Sequence, residues 1–213
     1  MGNKDYAGKS ILDIGAGNGA LYQALHEKTS SFTYHATDVS AAMLAQSVIP
    51  IAQRSVGEIR DWPAPTQKFD HIFMLGLVSY LSPEDLSEHL QWAREHLYPE
   101  GDVCISFTNR ASWDFRLRQI LRPLLRLWPG KGVLQQTFTI QAHTVKEVEA
   151  LCATAGFHLK KLRYVAPGIP FLQHLSPVLA AKTGIWLNDR LLADFWRRRL
   201  CPDFLVHLRI ATY

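Results

Sequence analysis

The 213-residue chain is the size of one large domain, and its composition, 47% hydrophobic and 20% charged, is that of a globular protein rather than a disordered or fibrous one. The net charge of +4 is mildly basic, no apolar run approaches the roughly 20 residues of a membrane span, and Met1-Gly2-Asn3-Lys4-Asp5 lacks the apolar core of a secretory signal. Cys104, Cys152 and Cys201 are odd in number and form no CxxC pair, which fits reduced thiols in a cytoplasmic protein without a disulfide framework or a zinc site.

Strand-like and helix-like segments alternate along the first two-thirds of the chain, as βαβ units require. Ser10–Ile14 reads as a first strand, followed by a glycine turn and a helix to about Lys28. Thr33–Asp38 is a second strand, after which Ser40 can cap a helix through Val48. A weaker strand falls near Gln53–Val56, and Asp70–Leu75 is a clearer, buried one. Ser82-Pro83-Glu84-Asp85 is a strong helix start, and that helix runs to Tyr98-Pro99-Glu100-Gly101, the turn before a strand at Val103–Phe107. Thr144-Val145-Lys146-Glu147 is a capping box, with strands at His158–Val165 and Asp203–Ile210 beyond it. The sum is a single α/β domain: a Rossmann-like, seven-stranded, mostly parallel sheet with helices on both faces. A cofactor half spans about 1–108, and helical insertions at about 109–142 and 167–201 follow strands five and six.

The turn Gly15-Ala16-Gly17-Asn18-Gly19 follows a buried strand and opens a helix, so a ligand can approach its main chain closely. No Gly-Lys-Ser/Thr follows, which excludes a P-loop. A dinucleotide reading is harder to dismiss, because Gly15-x-Gly17-x-x-Ala20 and Asp38 have the required spacing. Asp13 separates the cases: a carboxylate there repels a pyrophosphate but favours the ammonium of an amino-acid moiety.

Leu12-Asp13-Ile14-Gly15-Ala16-Gly17-Asn18-Gly19 resembles the first motif of the class I S-adenosylmethionine-dependent methyltransferases. Thr37-Asp38-Val39-Ser40-Ala41-Ala42-Met43-Leu44 is similar to the second, and Val56–Pro63 to the loop after strand three, with Glu58 where Asp is more usual. Phe69–Gly76 and Tyr98–Gly101 resemble later motifs in the same order. The resemblance implies S-adenosylmethionine as cofactor, held by Asp13, Gly15, Ala16, Gly17, Gly19, Asp38, Val39, Met43, Glu58, Ile59 and Leu75. Asp38 would bind the ribose hydroxyls, Glu58 the adenine amine and Asp13 the ammonium. Family members usually carry one or two helices before the first strand, where this chain has about ten residues, so other segments must help to close the site. Two other readings stay open: a nucleotide-cofactor oxidoreductase, and a non-catalytic module that keeps the fold to bind a partner.

Leu75-Gly76-Leu77-Val78-Ser79-Tyr80 lacks the Asn/Asp-Pro-Pro run of nucleobase and glutamine methyltransferases, and no Asp/Asn cluster offers a hard-cation site. The expectation is metal-independent transfer to a small, hydrophobic acceptor at oxygen. Tyr80 and His143 are the candidate catalytic residues, the latter as a base near neutral pH. Asn109, Arg110 and Trp113, at the start of the first insertion, are candidate substrate residues. From 110 to 131 the chain carries a net +5, with Arg118, Arg122 and Arg126 on one helical stripe and Leu117, Ile120, Leu121, Leu124 and Trp128 on the other side. Basic amphipathic helices of this kind suit a membrane surface or a lipophilic, anionic acceptor. The second insertion repeats the pattern, with Phe171, Leu172, Leu175, Trp186, Phe195 and Trp196 beside Arg197-Arg198-Arg199. Nucleic acid is not the expected partner, because these aromatics sit in apolar runs.

Overall fold

The computed structural model describes residues 6–63, 66–125, 140–169, 172, 176–190 and 193–211. Its strands are β1 (Ser10–Ile14), β2 (Thr33–Asp38), β3 (Arg54–Val56), β4 (Phe69–Met74), β5 (Leu97–Asn109), β6 (Ala142–His143), β7 (Phe157–Val165) and β8 (Asp203–Ile210). The main sheet has the order β3-β2-β1-β4-β5-β8-β7, parallel except for β8, which runs antiparallel to both neighbours. The helices are α1 (Ala20–His26), α2 (Ala41–Ala45), α3 (Pro83–His96), α4 (Trp113–Leu125), α5 (Val145–Thr154), α6 (Pro177–Arg190) and α7 (Asp194–Leu200).

Side-chain alternation along the strands builds a core on each face of the sheet. Leu12, Ile72, Met74, Val103, Ile105 and Val206 pack with Leu86 and Leu90 of α3 and Val148 and Cys152 of α5. On the opposite face Ile11, Tyr34, Ala36, Phe73 and Cys104 pack with Leu21 and Leu25 of α1. The seven expected strands are all present, and helices cover both faces.

Helix starts follow their side-chain caps. Ser82 and Asp85 form a reciprocal capping box with Pro83 in the first turn of α3, and Thr144 with Glu147 does the same for α5. The Ser40 hydroxyl accepts from Met43 N at 3.3 Å to start α2, and Ser112 accepts from Phe115 N at 3.2 Å to start α4.

Three boundaries differ from the sequence reading. β5 begins at Leu97, because Leu97 pairs with Phe69 and a register shift before His71 absorbs the Tyr98–Gly101 stretch into the strand. α2 ends at Ala45 rather than running to Val48, with Arg54 donating to the carbonyls of Leu44, Ser47 and Ile49 as the chain leaves the helix. β6 is additional. β5 outruns β4 past Met74, and Ala142 and His143 take the vacated edge beside Thr108 and Asn109. Of the residues expected in the two insertions, Arg126, Trp128, Phe171 and Leu175 lie outside the described residues, as do the side chains of Arg122 and Leu124.

Candidate active site

The site is assembled at the carboxyl edge of the parallel strands, where loops leave the sheet. The amides of Gly15 and Ala16 both donate to the Thr37 carbonyl, at 2.8 and 3.2 Å, fixing the glycine turn to the end of β2. Gly17 has φ 54° and Gly19 has φ 84°, left-handed values that favour glycine. A Cβ on Gly19 would stand 2.6 Å from Ser47 Oγ and 2.9 Å from Ile49 Cγ1, so this glycine lets α1 pack against the 47–49 segment. A Cβ on Gly17 would crowd Met43 Cε at 3.2 Å. The Gly17 amide instead donates to Asp38 Oδ2 at 2.9 Å, while Asp38 Oδ1 accepts from Ser40 N at 2.8 Å.

Asp38 therefore stands fixed at the rim of a cleft of about 240 Å³. One wall is Ile14, Gly15, Thr37, Asp38, Val39 and the 57–60 loop; the other is Leu77, Tyr80, Leu81 and the first turns of α3, with Asp85 and His89. The Thr37 hydroxyl donates to Gly57 O at 3.0 Å and Gly57 N to Asp38 O at 3.1 Å, which holds the loop after β3 against the acid. Val39 is 69% exposed and Tyr80 64% exposed on this rim. A carboxylate that can accept from a diol, set between exposed apolar side chains, fits a ribose carrying a flat base.

Most of the expected cofactor residues converge here. Gly15, Asp38, Val39, Glu58 and Ile59 line the cleft, with Gly17 and Met43 at its lip. Glu58 is ion-paired with Arg60. Ala16 and Leu75 instead face the core beneath α1. Asp13 departs furthest from its expected role. It is 2% exposed, lies outside the cleft lining, and accepts a hydrogen bond from the Tyr34 hydroxyl at 2.7 Å. Burial raises its carboxyl to about 7, with Asp38 adding to the rise and the Tyr34 hydrogen bond opposing it. Thr37, Leu77, Leu81, Asp85 and His89 were not named as site residues; Thr37 stands in the second motif and Leu77 beside Tyr80, and for Asp85 the sequence signal was the Ser82–Asp85 capping box.

Beyond the cleft, Gln141 N donates to Ser79 O at 2.9 Å, and the Ser79 and Thr108 hydroxyls are 3.0 Å apart. These contacts bring β6 beside the turn that carries Tyr80. His143 stacks edge-on to Phe107 with ring centroids 5.4 Å apart, and its Nδ1 is buried with no hydrogen-bond partner among the described residues. Burial lowers its pKa, the Arg110 charge lowers it further, and Glu147 acts in the opposite sense.

The candidate substrate residues divide. Asn109 is buried and donates to the carbonyls of Arg198 and Cys201, both at 2.8 Å, while its Oδ1 accepts from Ala111 N at 3.0 Å. It is a staple between β5 and the α7–β8 junction, and its amide is engaged by the chain itself rather than turned to a substrate. Arg110 clamps the Ala142 carbonyl and pairs with Glu147 at 2.7 Å, so it braces β6 against α5. Trp113 remains partly exposed, edge-on to Trp196 at 5.8 Å. In the basic stripe, Arg118 is bonded to Asp114 at 2.7 and 3.3 Å.

A second, larger space of about 880 Å³ lies under the insertions, lined by the 166–169 segment, Pro177, Ala180 and Gly184 of α6, Leu200 and Pro202. Its charged lining groups are Asp114 and Asp203. Burial and the nearby Asp114 raise the Asp203 pKa against a hydrogen bond from Thr108. Thr108 thus joins this chamber to Ser79, next to Tyr80 of the cleft.

A doubly wound sheet with a glycine turn after β1 and a rigidly held acid after β2 defines a protein that binds a nucleoside-bearing cofactor. A family profile described as a methyltransferase domain matches residues 11–101. The chain is 27% identical over 155 residues to the uncharacterized methyltransferase YdaC of Bacillus subtilis, covering 70% of this chain and 83% of that protein. Its fold is similar to that of an S-adenosylmethionine-dependent methyltransferase from Methanosarcina mazei, with TM-score 0.67, 14% identity and coverage of 98% of this chain and 95% of the other. A methyltransferase of the same cofactor type from Mesorhizobium loti gives TM-score 0.62 at 18% identity, covering 97% and 93%. Residues 11–101 thus match a methyltransferase domain, in a fold shared with S-adenosylmethionine-dependent methyltransferases; the protein is an enzyme, and S-adenosylmethionine is its cofactor.

Proposed function

We propose that the enzyme methylates a small, hydrophobic acceptor at a hydroxyl oxygen. The observation that carries this reading is the chamber under the insertions, walled by Pro, Ala, Gly, Ile and Leu residues, with a hydrogen-bond chain from Asp203 of its lining through Thr108 to Ser79, the neighbour of Tyr80. An apolar acceptor gains from leaving water there. An anionic one would meet Asp114 and Asp203, so the acidic lining favours an uncharged or cationic molecule over the anionic acceptor that the basic stripe of α4 suggested.

When bound, S-adenosylmethionine supplies an electrophilic methyl group on a sulfonium. Asp38, already accepting from Gly17 N, would hold the ribose hydroxyls. Val39, Ile59 and Leu77 of the cleft lining would flank the base, with Glu58 on the same wall to meet its amine. Tyr80 closes the cleft on the acceptor side and excludes water. His143 is the proton acceptor. Its environment keeps the imidazole neutral near pH 7, and its unpartnered Nδ1 can take the hydroxyl proton as oxygen attacks. Alignment supplies the rest of the rate, as expected for an in-line displacement.

Transfer from methyl-labelled cofactor to a matched series on one aromatic ring tests the reading: phenol, aniline, thiol and carboxylate of the same bulk. The phenol should yield the labelled methyl ether as the main product. Turnover confined to the aniline or the carboxylate would contradict transfer to oxygen.

A further inference from the structure

Among the large apolar side chains that the described residues leave exposed, two groups bear on the site and its cap. One, Val39 and Tyr80 with Met43 beside the glycine turn, belongs to the cofactor cleft and its lip. The other lies on the cap helices, remote from that cleft: Trp186 on α6 is 56% exposed, and Phe195 and Trp196 on α7 are 56% and 45% exposed. Nothing in the reaction explains this second group.

On α7 the aromatics run on to the start of α4. Trp113, Trp196 and Phe195 form a chain of edge-on rings, with centroids 5.8 and 5.4 Å apart. Cations are set among them. The Arg199 guanidinium lies 4.4 Å above the Phe195 ring and that of Arg190 lies 5.7 Å from Trp186. Lys182, Arg190 and Arg198 are exposed. The opposite side of α6, through Ala180 and Gly184, lines the chamber, so this helix separates the chamber from the exposed face.

We propose that this face of α6 and α7 docks on an anionic lipid bilayer. Trp186, Phe195 and Trp196 enter the boundary between headgroups and acyl chains, where amphipathic rings are stable, and the basic side chains meet lipid phosphates. A second copy of the chain is a poorer occupant, because pairing the patch with itself sets arginine against arginine. Contact is at the surface of the bilayer, since no described helix is long and apolar enough to cross one. The basic amphipathic stretch at α4 suggested such contact from sequence, and the second insertion repeated its pattern; the proposal is placed on the second. The proposal does not depend on the acceptor reading, although a lipophilic acceptor would gain a short route from the bilayer through α6.

Vesicle co-sedimentation of the full chain tests it, with phosphatidylcholine alone and phosphatidylcholine mixed with phosphatidylglycerol, at low and high salt. The protein should bind the anionic vesicles about tenfold or more tightly than the neutral ones, with the difference shrinking at high salt. The double variant Trp186→Ser, Phe195→Ser changes two half-exposed side chains, so its melting temperature and S-adenosylhomocysteine affinity should match the wild type while most vesicle binding is lost. Failure of the wild type to bind anionic vesicles at low salt would overturn the proposal, as would undiminished binding by the folded variant. Pelleting without vesicles, or concentration-dependent self-association that the variant abolishes, would assign the face to a second copy and overturn it equally.

Discussion

The Tyr34 hydroxyl donates to the Asp13 carboxylate at 2.7 Å across β1 and β2, and both side chains are shut away from water beneath the glycine turn. The pair ties the floor of the cofactor turn to the second strand. It also places an ionisable group where ionisation is costly.

This arrangement makes stability depend on pH. In the unfolded chain Asp13 ionises near pH 4, whereas the folded protein holds its proton to about pH 7. Between those values the unfolded state binds fewer protons than the folded one, so stability falls as pH rises and stays low above the folded pKa. A shift of that size corresponds to at most about 4 kcal/mol. Asp13→Asn keeps an oxygen for Tyr34 and removes the titration. Urea denaturation at pH 5 and pH 8 should show the wild type losing more stability over this interval than the variant, and equal slopes would refute the assignment.

Asn109 offers a contrast, a polar residue that acts through structure alone. Asn109→Ala leaves the Arg198 and Cys201 carbonyls and the Ala111 amide without their partner, which should cost about 2–4 kcal/mol. S-adenosylhomocysteine affinity should be unchanged, because Asn109 lies outside the cofactor cleft. Chemical denaturation and calorimetry on the same sample separate the two effects. A weakened cofactor without lost stability would show that the staple reading is wrong.

His143 is the residue whose protonation should be visible in catalysis. If it takes the acceptor's proton as proposed, activity requires the neutral imidazole, and burial together with Arg110 lowers its pKa, so the acid limb of kcat/KM should fall below the ordinary histidine range. His143→Gln should lose about 10²–10⁴-fold in kcat together with that limb, while binding S-adenosylhomocysteine normally. A pH–rate profile of the variant that keeps the limb would remove His143 from the proton transfer.

The sheet was legible because its strands alternate with helices whose starts carry explicit caps. Ser82-Pro83-Glu84-Asp85 and Thr144–Glu147 occur where α3 and α5 begin. The glycine turn and Asp38 were legible for a related reason: local backbone geometry demands those residue types at those places. What the sequence could not show depends on long-range pairing. Two residues form β6 only because β5 outruns β4, which no local pattern encodes. Asn109 and Arg110 looked like substrate residues because polar groups at a strand end commonly are; their partners, 89 and 37 residues away, were invisible. Asp13 lies in the motif that identifies the cofactor, yet its burial and its bond to Tyr34 appear only once β2 is laid beside β1. His71 and Asp102, buried and hydrogen-bonded to each other across β4 and β5, escaped notice for the same reason.

Asp38 ties the glycine turn to the second strand and is the proposed ribose ligand, so the cofactor reading turns on it. The direct measurement is calorimetric titration of the wild type and of Asp38→Ala with S-adenosylhomocysteine and, separately, with NAD. The wild type should bind S-adenosylhomocysteine and ignore NAD, and the variant should bind at least about tenfold more weakly, as expected for loss of charge-assisted hydrogen bonds. Tight NAD binding by the wild type, or an unchanged S-adenosylhomocysteine affinity in a folded Asp38→Ala protein, would contradict it.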